Sequence, residues 1–265
     1  MNINDLVSAG SAKTYLGQNS ATQSVASTSG LVRTDLQKAE MRVQSQVDST
    51  SIQLSSFGKL KSSVSSLQLA AHQMASLPVS STSASLKTAA DSFVSAFNSS
   101  MTEAQSSAKT GAAQGGAAAS QSAAKVGKDL TRALSGNTGN TGNTFASTSA
   151  NPSTLDAMKK IGFSVQSDGT LALDAKKFDA ALKSDPTAVQ ATLSKVGQQV
   201  DATATQELSA SGNVTHSVSS LSQRASVLKN QQNTLASLQQ VSSASAQSAS
   251  SFNSSFNFAS SSLFG

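Results

Sequence analysis

Residues 31–76, LVRTDLQKAEMRVQSQVDSTSIQLSSFGKLKSSVSSLQLAAHQMAS, decide the fold. The stretch has no proline and one glycine, Gly58, while Leu36, Val43, Phe57, Val64 and Ala71 fall on a seven-residue register in which Thr50 fills the remaining step. Val47 and Leu54 follow register positions by four residues, and Leu60, Leu67 and Met74 follow them by three. A stripe with this spacing belongs to a long helix packed on other helices as a coiled coil or bundle. Such a helix would be roughly 70 Å long at 1.5 Å per residue. Pro78 ends it, because the residue before a proline is pushed out of the helical region.

A second seam lies near the other end. From Asn213 to about Ser248, Val214, Val218, Leu221, Ala225, Leu228, Leu235 and Leu238 recur at three-, four- and seven-residue steps, and Gln232 sits where a polar residue can set register. The tail adds Phe252, Phe256, Phe258 and Phe264, four of the ten Phe in the chain. Phe252 and Phe256 at i and i+4 suit packing on the N-terminal helix or a docking site for a partner or chaperone, two readings that do not exclude each other.

Between the seams the organisation changes. Residues 78–108 are expected to hold a second helix, with Leu86, Ala90, Phe93, Val94, Phe97 and Met101 at helical spacing. Residues 109–152, which include GNTGNTGNT, are expected to be a low-complexity Gly/Ala/Ser/Asn linker. Residues 153–200 carry sharper signals. Ile161–Val165 and Thr170–Leu173 are short β-type segments around Asp168-Gly169, a pair that favours a hairpin turn because glycine takes positive φ without penalty. Gly162, Leu171 and Leu173 complete the motif. Asp174 is placed to cap one short helix, and Asp185-Pro186 to start another with an Asp N-cap and Pro at the first helical position. Residues 1–30 lack sustained periodicity and are expected to be a disordered N-terminal segment, residues 31–77 the N-terminal coiled-coil helix, and residues 201–265 the C-terminal coiled-coil helix with its tail. The fold class is therefore mainly α: long terminal helices in a coiled coil or bundle, one small β-hairpin near residues 161–173, and disordered termini and linker.

Composition narrows the function. There are 55 Ser and 40 Ala, 19 Lys+Arg against 14 Asp+Glu, a net charge of +5, ten Phe and one Tyr. Only 12% of residues are charged, and without Cys there are no disulfides, thiolate nucleophiles or thiolate metal ligands. His72 and His216 lack the neighbouring ligands of a metal site, and no G-x-S-x-G turn supports a serine nucleophile. Asp168, Asp174 and Asp185 have turn and capping roles. The basic excess is spread thinly, without the aromatic interleaving that grips nucleic acid. No apolar run approaches the roughly 20 residues of a membrane span. No enzyme, cofactor, metal, nucleic acid or membrane span is expected, and the function falls in assembly.

Three stretches carry a family resemblance. Leu31-Val32, Ala39-Glu40 and Gly58-Lys59-Leu60-Lys61-Ser62, within residues 29–68, resemble the N-terminal pattern of the flagellar hook-associated protein 2 family (FliD-type). Residues 161–193, IGFSVQSDGTLALDAKKFDAALKSDPTAVQATL, are similar to that family's C-terminal block, and Phe93-Val94 with Phe97-Asn98 resembles a third, shorter motif. The resemblance implies a secreted, non-enzymatic protein, exported without a cleaved signal peptide, that forms a ring-shaped homo-oligomer at the filament tip and guides flagellin into place. It implies self, flagellin, hook-filament junction proteins and an export chaperone as partners. Members usually carry large β-rich head domains between the helical regions; the interval from Pro78 to Ser85 has no room for them, so a short form is expected. The alternatives are another axial protein, such as a hook-filament junction or minor flagellin-like subunit, and a cytoplasmic export or regulatory binding module.

The assembly residues expected from the two seams are Leu36, Val43, Val47, Leu54, Phe57, Leu60, Val64, Leu67, Val214, Val218, Leu221, Leu228, Leu235 and Leu238.

Overall fold

The structure, a computed structural model, describes residues 21–135 and 154–261. The elements in chain order are α1 (Ala21–Ala75), α2 (Ser83–Ala113), α3 (Ala117–Leu134), α4 (Thr154–Lys160), β1 (Phe163–Val165), β2 (Leu171–Leu173), α5 (Ala175–Ser184), α6 (Pro186–Leu208) and α7 (Asn213–Ser261). The fold is mainly α, and β1 and β2 form an antiparallel two-stranded sheet. The chain divides into two compact units, Ser45–Lys229 and Met1–Gln44 with Asn230–Gly265.

The unit Ser45–Lys229 is a helical bundle built on the register read from the sequence. Phe57, Leu60, Val64, Leu67, Ala71 and Met74 on α1 are buried in one cluster with Phe93 and Phe97 on α2, Val126 and Leu130 on α3, Leu193 and Val200 on α6, and Val214 and Leu221 on α7. Antiparallel neighbours are marked by hydrogen bonds along their length. The Ser56 and Ser107 hydroxyls meet at 2.8 Å between α1 and α2. Toward the end of α1, Gln68 donates to Thr205 at 2.7 Å, His72 meets Asp201 at 3.1 Å, and Ser194 donates to the Ala75 carbonyl at 2.9 Å, all on α6. Serine and alanine let these helices approach closely, so the core forms with few bulky side chains.

In the unit formed by Met1–Gln44 and Asn230–Gly265, described segments of α1 and α7 pair with each other. Gln232 donates to Gln44 and Gln239 to Glu40, each at 2.7 Å, and Leu36 and Leu235 are buried. As one partner's number rises the other's falls, so the described helical segments run antiparallel.

Several boundaries differ from the sequence reading. Residues 21–30, expected to be disordered, belong to α1; no proline lies there, and the helix extends a nucleus already formed downstream. The second helix runs past residue 108 to Ala113, and α3 occupies much of the expected linker. The Ala-rich composition of α3 concealed a helical face on which Ala119, Ala123, Val126, Leu130 and Leu134 are buried. Alanine is the best helix former, and a low-complexity stretch with this spacing still packs. The helix begun at Pro186 is long rather than short and continues through Leu208, into the segment 201–265, and the C-terminal helix starts at Asn213, where its apolar seam begins. The additional turn of α4 precedes the hairpin. The expectations for residues 1–20 and for the GNT repeat lie outside the described residues.

Candidate functional site

The hairpin block is assembled from local signals and then fastened to the bundle. Phe163 pairs with Leu173, Ser164 with Ala172 and Val165 with Leu171. At the turn, one Asp168 carboxylate oxygen accepts from the Thr170 backbone N–H at 2.9 Å and from its hydroxyl at 2.6 Å. The Thr170 hydroxyl, with that N–H, holds the Asp168 carboxyl below its ordinary value, because both bonds favour the charged form. Gly169 follows at φ 82°, a conformation costly for a residue with a side chain. Asp174 caps α5 by accepting from the N–H groups of Lys176 and Lys177, and Asp185 caps α6 by accepting from Ala188, with Pro186 beside it. Phe163 and Phe178 meet edge to face with centroids 6.1 Å apart, which joins the strand to α5.

The fastening comes from α2. The Asn98 side chain donates to the Leu171 carbonyl at 2.8 Å and accepts from the Leu171 N–H at 2.7 Å, so one amide completes the edge of β2 as a third strand would. Gln105 donates to the Asp168 carbonyl at 2.6 Å, one residue from the turn glycine. Asn98 stands in the Phe-Val-x-x-Phe-Asn stretch, but its partner lies 73 residues away and no local rule pairs them. Asn98→Ala should therefore cost about 2–3 kcal/mol, since it leaves a part-buried donor and acceptor without partners. Thermal unfolding and faster exchange of the Leu171 amide would register it; an unchanged exchange rate would mean that the clamp carries no strand.

The seam residues separate by position. In the bundle, Phe57, Leu60, Val64, Leu67, Val214, Leu221 and Leu228 are buried, while Val47, Leu54 and Val218 are half-buried. Along the paired chain ends, Leu36 and Leu235 are buried and Val43 is half-buried. Leu238 departs from the expected seam and is 42% exposed. The inward positions run Leu228, Gln232, Leu235 and Gln239, so Leu238 stands one residue, about 100°, off that line. Gln232 holds the register position that its spacing gives it, whereas Gln239 takes the inward place that an apolar count gives to Leu238. Leu238 instead joins Met41 (65% exposed) and Val241 (63% exposed) as solvent-facing apolar side chains of this unit. The side chains of Phe252, Phe256 and Phe258 lie outside those described, as does residue Phe264.

Among the described residues, no cluster of three or more His, Asp or Glu side chains could hold a metal, and no helix is long and apolar enough to cross a membrane. The family model for the flagellar hook-associated protein 2 C-terminus matches residues 64–254, well over half of the chain. That range spans the later part of α1, every element from α2 to α6, and most of α7. The resembling residues 29–63 precede it. No curated protein and no solved structure matched.

Proposed function

Because the chain belongs to the flagellar hook-associated protein 2 family, whose members form the flagellar filament cap, we propose that it self-assembles at the filament tip and guides the polymerisation of exported flagellin. The observation that carries this reading is the family match itself, which extends across the bundle and hairpin block. Two physical features support it. The paired segments of α1 and α7, closed by the Gln44–Gln232 and Glu40–Gln239 bonds, supply a two-helix element for assembly. Met41, Leu238 and Val241 leave apolar surface on that pair, which suits contact with further subunits. The mechanism is geometric: subunits joined in a ring whose symmetry differs from the filament's leave an opening where each new flagellin settles. Flagellin and further copies of this chain are the partners this requires, and the flagellum is its location.

Deletion of the gene tests the proposal. Flagellin should leak into the medium as monomer at the expense of cell-attached filaments, and the labelled protein should mark only filament tips. Normal filaments would overturn the capping role. Label along the filament would instead identify a flagellin-like axial subunit, and label confined to the cytoplasm a regulatory module.

A further inference from the structure

We propose that the groove between α2, α3 and the hairpin turn docks a short segment of another protein, one in which a bulky apolar residue is flanked by carboxylates. The groove has a volume of about 750 Å³ and lies open along one side. Its floor is made of small residues, Ala104 and Ala108 on α2 and Ala123 and Gly127 on α3, with the Met101 methyl among them. A Cβ placed on Gly127 would stand 3.6 Å from that methyl and one on Gly169 2.7 Å from it, so a single flexible thioether lies between α3 and the hairpin turn. Residues this small leave a depression in the bundle surface, and methionine re-packs readily around an incoming apolar group.

Shape selects the occupant first. The groove-lining positions on α3 run from Ala123 to Ser135, about 18 Å at 1.5 Å per residue. That length takes about five residues of extended chain at about 3.3 Å each. Small-molecule pockets, by contrast, enclose about 70–90% of their ligand, which a groove open along one side does not do. Charge selects further. Lys128 and Arg132 stand one turn apart on the α3 wall, and Asp168 stands on the hairpin wall. Lys128 is exposed and, among the described residues, has no ion pair. Arg132 gives an N–H to Asp129 at 3.0 Å, which leaves most of its five donors for another carboxylate. Asp168 is occupied by the backbone N–H and hydroxyl of Thr170. Carboxylates of the docked segment therefore belong on the α3 side. A second copy is the poorer occupant, because this chain has 19 Lys+Arg against 14 Asp+Glu, and its Asp129, Asp174 and Asp185 already accept bonds inside the fold. The groove belongs wholly to the unit Ser45–Lys229 and does not depend on the capping role.

The test uses the full chain, carbon-13 labelled in its methionine methyls, and the peptide acetyl-EDLFED-amide. The Met101 signal should shift saturably, while that of Met74, buried on α1, stays in place. Lys128→Glu lies at an exposed position four residues before Arg132, so the helix is kept, and it should weaken binding about tenfold. Salt at about 1 M, where screening reaches about 3 Å, should weaken it in the same direction. The peptides acetyl-EDSSED-amide, without the apolar pair, and acetyl-KKLFKK-amide, without the carboxylates, should each bind at least about tenfold more weakly. Equal binding of the three peptides, an unshifted Met101 signal, or Lys128→Glu binding as the parent does would overturn the proposal. The spectra without peptide read two other occupants. Contacts between Phe145 and the Met101 methyl would mean that the chain covers its own groove, and a Met101 signal that moves with protein concentration would mean that a second copy does; either result overturns docking of a separate partner.

Discussion

Leu221→Glu should lower the thermal midpoint by about 10 °C, whereas Leu238→Glu should leave it within about 1 °C of the parent. Both leucines occupy the same apparent stripe, yet Leu221 is buried in the cluster that includes Phe57 and Val64, and Leu238 is 42% exposed. A carboxylate at Leu221 would have to ionise among apolar neighbours or drag the helix outward to reach water. Leaving a buried charge without a partner costs about 3–5 kcal/mol. At Leu238 the new charge already stands in solvent, where substitutions stay within about 0.5 kcal/mol. The exposed position still has a readout, because a charge at this solvent-facing apolar position, three residues from Val241, should weaken self-association while the subunit remains folded. Calorimetry and sedimentation of the two variants separate these effects. Equal midpoints for both would mean that α7 does not pack through Leu221.

Gly197→Val should destabilise the bundle by about 3 kcal/mol, while Gly58→Ala should stabilise it by about 1 kcal/mol. A Cβ placed on Gly197 would stand 2.6 Å from the Ala71 carbonyl oxygen and 2.7 Å from the Ala75 backbone nitrogen. Those are backbone atoms of α1 and cannot rotate aside as a side chain would, so α1 and α6 must separate. Separation also stretches the bond from Ser194 to the Ala75 carbonyl and the contact of His72 with Asp201. Gly58 sits on the exposed face of α1 and a Cβ there meets nothing within 4 Å. Alanine at that position restricts the unfolded chain and gains helix propensity at no steric cost. Chemical denaturation of the two variants should therefore shift midpoints in opposite directions. A neutral Gly197→Val would show that α1 and α6 do not meet at the distance described.

How much was legible in advance varies from element to element. The α1 register was plain because its buried positions are large or β-branched and recur on one face. The turn at Asp168-Gly169 and the caps at Asp174 and Asp185 were equally plain, since each is a contact between residues two or three apart. The α3 helix was obscured because alanine fills buried positions without advertising them, and Gly127 even sits on the packed face. In α7, Gln239 took the inward position that an apolar count assigns to Leu238. The Asn98 clamp had no sequence signal at all.

The amino-acid sequence by itself thus determined the helical class, the seams, the hairpin and its caps, and the family to which the chain belongs. Periodicity, propensity and capping are short-range, and a window of ten or twenty residues carries them. The tertiary structure decided which leucine faces inward, how closely α1 and α6 approach at Gly197, and which side chains meet across the bundle. Those outcomes depend on the rotation of one helix against another, where one residue turns a side chain by about 100° and exchanges burial for solvent.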